Sequence, residues 1–174
     1  RRGALGIGEY RRNGYLPEAL VNYMALLGWS YDGEQEFFTL QELADKFDVA
    51  RVSRKPAAFD PDKLLWMNTQ WMKRLSLEQR VERVLPFLRE TGLVCDAPGE
   101  AELERLGRIV ALLDDRLKTL ADIVSLAGFF LAPDVVYDNI AVSKVLMKVG
   151  ADDTLRRLGV LLTDLPDFSA QALE

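Results

Sequence analysis

The chain has 174 residues, 49% of them hydrophobic and 28% charged, which is enough apolar material to bury a core and excludes a disordered, collagenous or disulfide-stapled scaffold. One cysteine, Cys95, precludes an internal disulfide or a cysteine metal cluster, and the absence of histidine excludes Ser-His-Asp and Cys-His nucleophiles and His-ligated zinc. The net charge of −5 argues against indiscriminate nucleic-acid binding, and with no bilayer-length apolar run and no secretory signal the expected compartment is the cytoplasm, with no membrane partner.

Helix punctuation recurs throughout, with no strand alternation longer than a few residues, so the expected fold class is all-α. A short helix from Ile7 to Asn13 ends at Gly14, a left-handed cap. Pro17 opens a second helix, in which Leu20, Tyr23, Met24 and Leu27 repeat at helical spacing up to Gly28. Thr39 with Glu42 has the spacing of a capping box and starts a third, to about Phe47. Pro56 turns Ser53 to Phe59 into a connecting loop. Asp60-Pro61 starts the next helix, to Leu75, and Ser76 with Gln79 caps another that closes at Gly92. Leu75-Ser76 therefore joins two capped helices as a stiff elbow.

Leu103, Leu106, Val110, Leu113 and Leu117 form one apolar stripe, and Thr119 with Asp122 reads as a further box leading to Phe129. The last helices are expected from about Asn139 to Val149, stopped by Gly150, and from Asp153 to Leu162. Ser169 to Glu174 reads as the opening of a helix that is cut off.

Local charge matters more than the sum. Asp32 to Asp48 carries six acids against Lys46 alone, whereas Arg51 to Arg74 carries six bases against Asp60 and Asp62. A local basic stretch containing Trp66 and Trp71 is compatible with a shape-selective RNA contact, because phosphate attraction is screened over about 8 to 10 Å. It is equally a solvated helix flanked by charges. At 100° per residue, Leu64, Leu65, Met67, Trp71, Met72 and Leu75 share one face, Asn68 interrupts it, and Trp66 lies opposite. Asn68 either marks a functional site or bonds a loop carbonyl, and Trp66 either meets a ligand or packs on a neighbour. Arg105 and Arg116, eleven residues apart, fall on nearly one side of a helix, as base readers or as partners of Asp114, Asp115 or Glu102. Gly3, Gly6 and Gly8 lack the Lys-Ser/Thr of a phosphate loop, and Glu102 with Glu104 is an ordinary solvated pair.

The runs GYLPEALVNYMALLGWS (Gly14 to Ser30), FTLQELADKFDVARVS (Phe38 to Ser53) and FDPDKLLWMN (Phe59 to Asn68) closely resemble the region that follows the catalytic core of bacterial class I glutamyl-tRNA synthetases. The likeness continues through RLKTL (Arg116 to Leu120) and Gly128-Phe129-Phe130. Arg1-Arg2-Gly3 looks like the tail of that family's Lys-Leu-Ser-Lys-Arg-His-Gly loop, with arginine in place of histidine.

The resemblance implies a helical stem-contact domain over residues 1–75 and an anticodon-binding helical domain over residues 76–174, whose last part, with the family's proline-arginine element, has no counterpart here. It implies tRNA for glutamate and an upstream catalytic domain as partners, a monomer, ATP and Mg²⁺ for the parent ligase, and no cofactor, metal or bond-making group in this segment. Lys63, Trp66, Asn68, Lys73 and Arg74 become candidates for touching the tRNA backbone or fixing the elbow. Arg105 is a further candidate, and Arg116 matches an arginine associated with the third anticodon base. Two rivals differ in kind: a helical protein-interaction module that kept the fold without RNA binding, and a synthetase that also charges tRNA for glutamine. The first is favoured if the acids of Asp32 to Asp48 neutralise the basic stretch.

Overall fold

The computed structural model describes residues 6–54, 56–132, 134 and 137–165; Arg1-Arg2-Gly3, Lys55 and Ser169 to Glu174 lie outside them. The described residues are helical and contain no strand. In order they form α1 (Ile7–Arg12), α2 (Pro17–Leu26), α3 (Leu40–Lys46), α4 (Pro61–Lys73), α5 (Leu77–Glu90), α6 (Glu100–Leu113), α7 (Asp122–Leu131), the single turn α8 (Asn139–Ala141) and α9 (Ala151–Thr163).

The starts are set by side chains that satisfy otherwise unpaired backbone donors. Thr39 and Glu42 make a reciprocal box, as do Ser76 and Gln79. The Asp60 carboxylate accepts from the amides of Asp62 and Lys63, with Pro61 at the first helical position. Gly14 (φ +77°) and Gly92 (φ +71°) take the left-handed conformation after α1 and α5, and Gly150 (φ +85°) takes it as the N-cap of α9.

Three expectations are corrected. The stripe from Leu103 to Leu117 is not one helix: α6 ends at Leu113, and Asp114–Arg116 forms a 3₁₀ turn. Asp114 and Asp115 are each drawn to a cation outside α6, and aspartate is a poor residue for continuing a helix. Leu117 still reaches the core, 1% exposed, from beyond the break. Second, Thr119 caps nothing with its side chain; the Asp122 carboxylate instead accepts from the amides of Lys118 and Thr119, and α7 starts at Asp122. Third, the helix expected from Asn139 to Val149 is a turn capped by Asp138 and then a π-turn, Val142–Leu146, closed by the Met147 amide on the Val142 carbonyl at 3.0 Å.

The chain divides into two compact units, residues 1–133 and 134–174. In the first, one core runs through α2, α4, α5, α6 and α7: Leu16, Ala19 and Tyr23 meet Leu64, Met67, Trp71 and Met72, then Val84 and Leu88, then Leu106, Ile109, Val110 and Leu113, then Ile123 and Ala127. It includes residues on both sides of the Leu75-Ser76 elbow, so α4 and α5 share one core as well as a chain connection. A satellite cluster of Trp29, Phe38 and Leu43 anchors α3. The second unit holds α8, the π-turn and α9, and α9 has no buried residue.

Candidate nucleic-acid interface

α4 buries Leu64, Met67, Asn68, Trp71 and Met72, as its apolar period requires. The rotation that buries them turns Lys63, Trp66, Lys73 and Arg74 outward, and all four are exposed. Trp66 is 43% exposed, with its ring centroid 5.6 Å from that of Phe37. Arg74 lays its guanidinium over the other neighbour of this cluster, 3.9 Å from the Phe37 centroid and 5.3 Å from that of Trp71. Sequence reasoning missed Phe37, because only the fold brings it to α4.

The cations of this face are not equally available. Lys63 Nζ lies 2.6 Å from Glu36 Oε1, and Lys73 Nζ lies 2.5 Å from Asp115 Oδ1. The hydrogen bond to Asp115 holds the Lys73 amine above its usual range. Arg51 donates to the Tyr31 carbonyl, and Lys46 sits 4.8 Å from the Tyr31 ring. Arg74 has aromatic faces and no carboxylate partner among the described residues. The acids of Asp32 to Asp48 thus neutralise Lys63 and leave Arg74 charged and oriented.

Asn68 is 0% exposed and bonds a loop carbonyl, the alternative to a functional contact that its place on an apolar face offered. Its Oδ1 accepts from the Leu16 amide at 2.8 Å and its Nδ2 donates to the Lys118 carbonyl at 2.6 Å. A second buried amide, Asn22, escaped sequence reasoning because its partners are backbone groups distant in sequence and one indole: it accepts from the Phe38 amide and Trp71 Nε1 and donates to the Glu36 carbonyl. Each of these two buried side-chain amides is hydrogen-bonded through both its oxygen and its nitrogen.

Arg105 and Arg116 do not share a helix, since α6 stops between them. Arg105 donates to the Phe130 carbonyl at 2.5 Å, near the C-terminal end of α7, where a cation is favoured. Arg116 is exposed on the 3₁₀ turn and has no hydrogen-bond or ion-pair partner among the described residues. The turn itself is fastened on several sides. Asp114 meets Arg80 of α5 at 2.7 Å, Asp115 meets Lys73, the Lys118 carbonyl meets Asn68, and the Leu120 amide donates to the Gly14 carbonyl at 2.9 Å.

Elsewhere Glu18 of α2 and Arg83 of α5 form a two-fold contact at 2.7 and 3.0 Å. The guanidinium bonds hold the Glu18 carboxyl below its usual range and the Arg83 guanidinium above its own. Among the described residues no three His, Cys, Asp or Glu side chains gather as a metal site requires, and no helix is long and apolar enough to cross a membrane. The arrangement supplies what binds a polyanion with unpaired bases: oriented guanidinium groups and an open aromatic face.

Residues 79–174, more than half of the chain, match a family model described as an anticodon binding domain. The chain belongs to the anticodon-binding domain family. Residues 1–66 match a second family model, the catalytic domain of class I tRNA synthetases for E and Q. Along its whole length the chain is 37% identical to a glutamate–tRNA ligase of Moorella thermoacetica, covering 36% of that protein. Over 166 residues it is 41% identical to a glutamate–tRNA ligase of Desulforudis audaxviator, covering 95% of this chain and 33% of that one. The chain thus spans about a third of the length of these relatives. A crystal structure of a glutamate tRNA ligase from Elizabethkingia meningosepticum superposes with a TM-score of 0.72 and 27% identity, over 90% of this chain and 30% of that one. Arg116 and the α6–α7 pair lie inside the anticodon-binding match, and Lys63 and Trp66 inside the other.

Proposed function

We propose that this chain is the tRNA-gripping part of a glutamate–tRNA ligase and makes no covalent change itself. Residues 1–75 serve as the stem-contact domain and residues 76–174 as the anticodon-binding domain of a monomeric cytoplasmic enzyme. In that enzyme a catalytic domain uses ATP and Mg²⁺ to activate glutamate and passes it to tRNA for glutamate. The single observation that carries the reading is the availability of Arg116: an exposed guanidinium without a partner among the described residues, held on a fastened turn within the anticodon-binding match. A planar cation so placed can bond a base edge bidentately or stack on its plane.

On α4, Arg74 and Trp66 take the backbone and sugars of the stem. Gripping two distant parts of one rigid RNA places its acceptor end, so the contribution to rate is positional. Discrimination against tRNA for glutamine rests on the third anticodon base at Arg116. The protein-interaction rival is disfavoured by Arg74, which stays charged although acids neutralise Lys63.

Titration of a labelled tRNA for glutamate by gel shift, at two salt concentrations, tests the reading. The expected result is measurable binding that weakens as salt rises, since each phosphate contact releases counterions. Binding indifferent to salt, or none, overturns it.

A further inference from the structure

The Asp114–Arg116 turn is short, solvent-exposed and loaded with charge, yet elements on both sides of the elbow, α4 and α5, hold it. Lys73, the last residue of α4, reaches Asp115, which directly precedes Arg116. Arg80, on the first turns of α5, reaches Asp114. Two residues after Arg116, the Lys118 carbonyl is held by buried Asn68, five residues before Lys73 on α4. Arg116 is thus the one member of the turn whose side chain is left free among the described residues, while its neighbours are tied to α4 and α5.

From this juxtaposition we infer that the Lys73–Asp115 ion pair is a positioning device: Lys73 acts on base discrimination through the Arg116 turn and not by contacting phosphate. The inference rests on the reading of Arg116 as the contact to the third anticodon base. Lys73 carries the right charge for a phosphate contact, but its amine is already engaged at 2.5 Å by a carboxylate, and engaging RNA instead would release the turn. The geometry also assigns a role to Asp115, an acid beside an RNA-reading arginine, where an unpaired carboxylate would repel the ligand.

The two roles separate because the pair has opposite charges. Lys73→Met removes a positive charge and Asp115→Asn removes a negative one, yet both remove the same tie on the turn. The affinity of the chain, and of each variant, is measured for two transcripts of tRNA for glutamate that differ only at the third anticodon base. The expected result is that both substitutions lower discrimination between the transcripts by a similar factor, roughly two- to five-fold, as suits an exposed pair. Lys73→Arg, which can still pair, keeps discrimination, and neither Lys73→Met nor Asp115→Asn has an effect on it in the Arg116→Ala background.

If Lys73→Met weakens and Asp115→Asn strengthens binding of both transcripts equally, Lys73 acts only as local charge and the inference is overturned. It is also overturned if discrimination is unchanged in both variants while Arg116→Ala abolishes it; the reading of Arg116 then survives alone. If Arg116→Ala itself leaves discrimination intact, that reading fails and the positioning role falls with it.

Discussion

Asn68 and Gly14 join the same two parts of the chain by opposite means. Asn68 supplies an acceptor to the buried Leu16 amide and a donor to the carbonyl of Lys118, an exposed residue. Asn68→Ala leaves the Leu16 amide buried without a partner, at a cost of about 1–3 kcal/mol. Urea unfolding should therefore show a loss of about 1–3 kcal/mol, and a loss well under about 1 kcal/mol would mean that water replaces the amide. Gly14 supplies absence: a Cβ there would lie 2.3 Å from the Ala121 nitrogen, in a backbone already at φ +77°. Gly92 has a similar φ, +71°, with open space around it. Gly92→Ala should then cost about 1–2 kcal/mol, the left-handed penalty alone, and Gly14→Ala clearly more, because backbone must also move. Equal costs in parallel unfolding curves would remove the close approach as the reason for glycine at position 14. Asn68 was visible in the sequence because it interrupts an apolar face; Asn22 was hidden because it lies in a helix whose amphipathic pattern does not single it out, and its acceptors and donors come from residues 36–38 and Trp71.

At the scale of elements, legibility followed the range of the interactions. Capping boxes and glycine stops are local, so the starts of α3, α4 and α5 and the stops at Gly14 and Gly92 were readable from a few residues. The end of α6 was not, because Asp114 and Asp115 leave the helix for cations 34 and 42 residues away in sequence, Arg80 and Lys73. That misread also set Arg105 and Arg116 on one face, whereas the fold puts one near the C-terminal end of α7 and leaves the other on its own turn. The outward stripe on α4 was legible from periodicity alone, but not which of its cations are already paired, since Glu36, Phe37 and Asp115 reach α4 only in the folded chain. The α2–α5 contact of Glu18 with Arg83 was likewise invisible. Because the folded carboxyl titrates below its unfolded value, near 4.3, its contribution is present above that pH and is lost as pH falls through the lower folded value. Glu18→Gln should be less stable than the parent at pH 7, with the gap closing as pH is lowered toward 3. A gap that stays constant over that range contradicts the assignment.

Across the whole molecule, the stability argument and the functional one meet at the elbow between α4 and α5. One core crosses it, Asn68 and Gly14 bind the N-terminal helices to the segment after α6, and the Arg116 turn is tied to both sides. The same contacts that keep the first unit folded therefore set the distance between the α4 face and Arg116, the two places where the proposed function has RNA bind. The fold was expected from punctuation, but the availability of Arg74 and Arg116 became clear only from which neighbours took the other charges. The most direct test is the affinity of the chain, with Arg116 and with Arg116→Ala, for tRNA for glutamate and tRNA for glutamine, measured side by side at one salt concentration. The predicted result is weaker binding of tRNA for glutamate with binding of tRNA for glutamine unchanged; equal loss for both would make Arg116 a general phosphate or structural residue and contradict base reading at this turn.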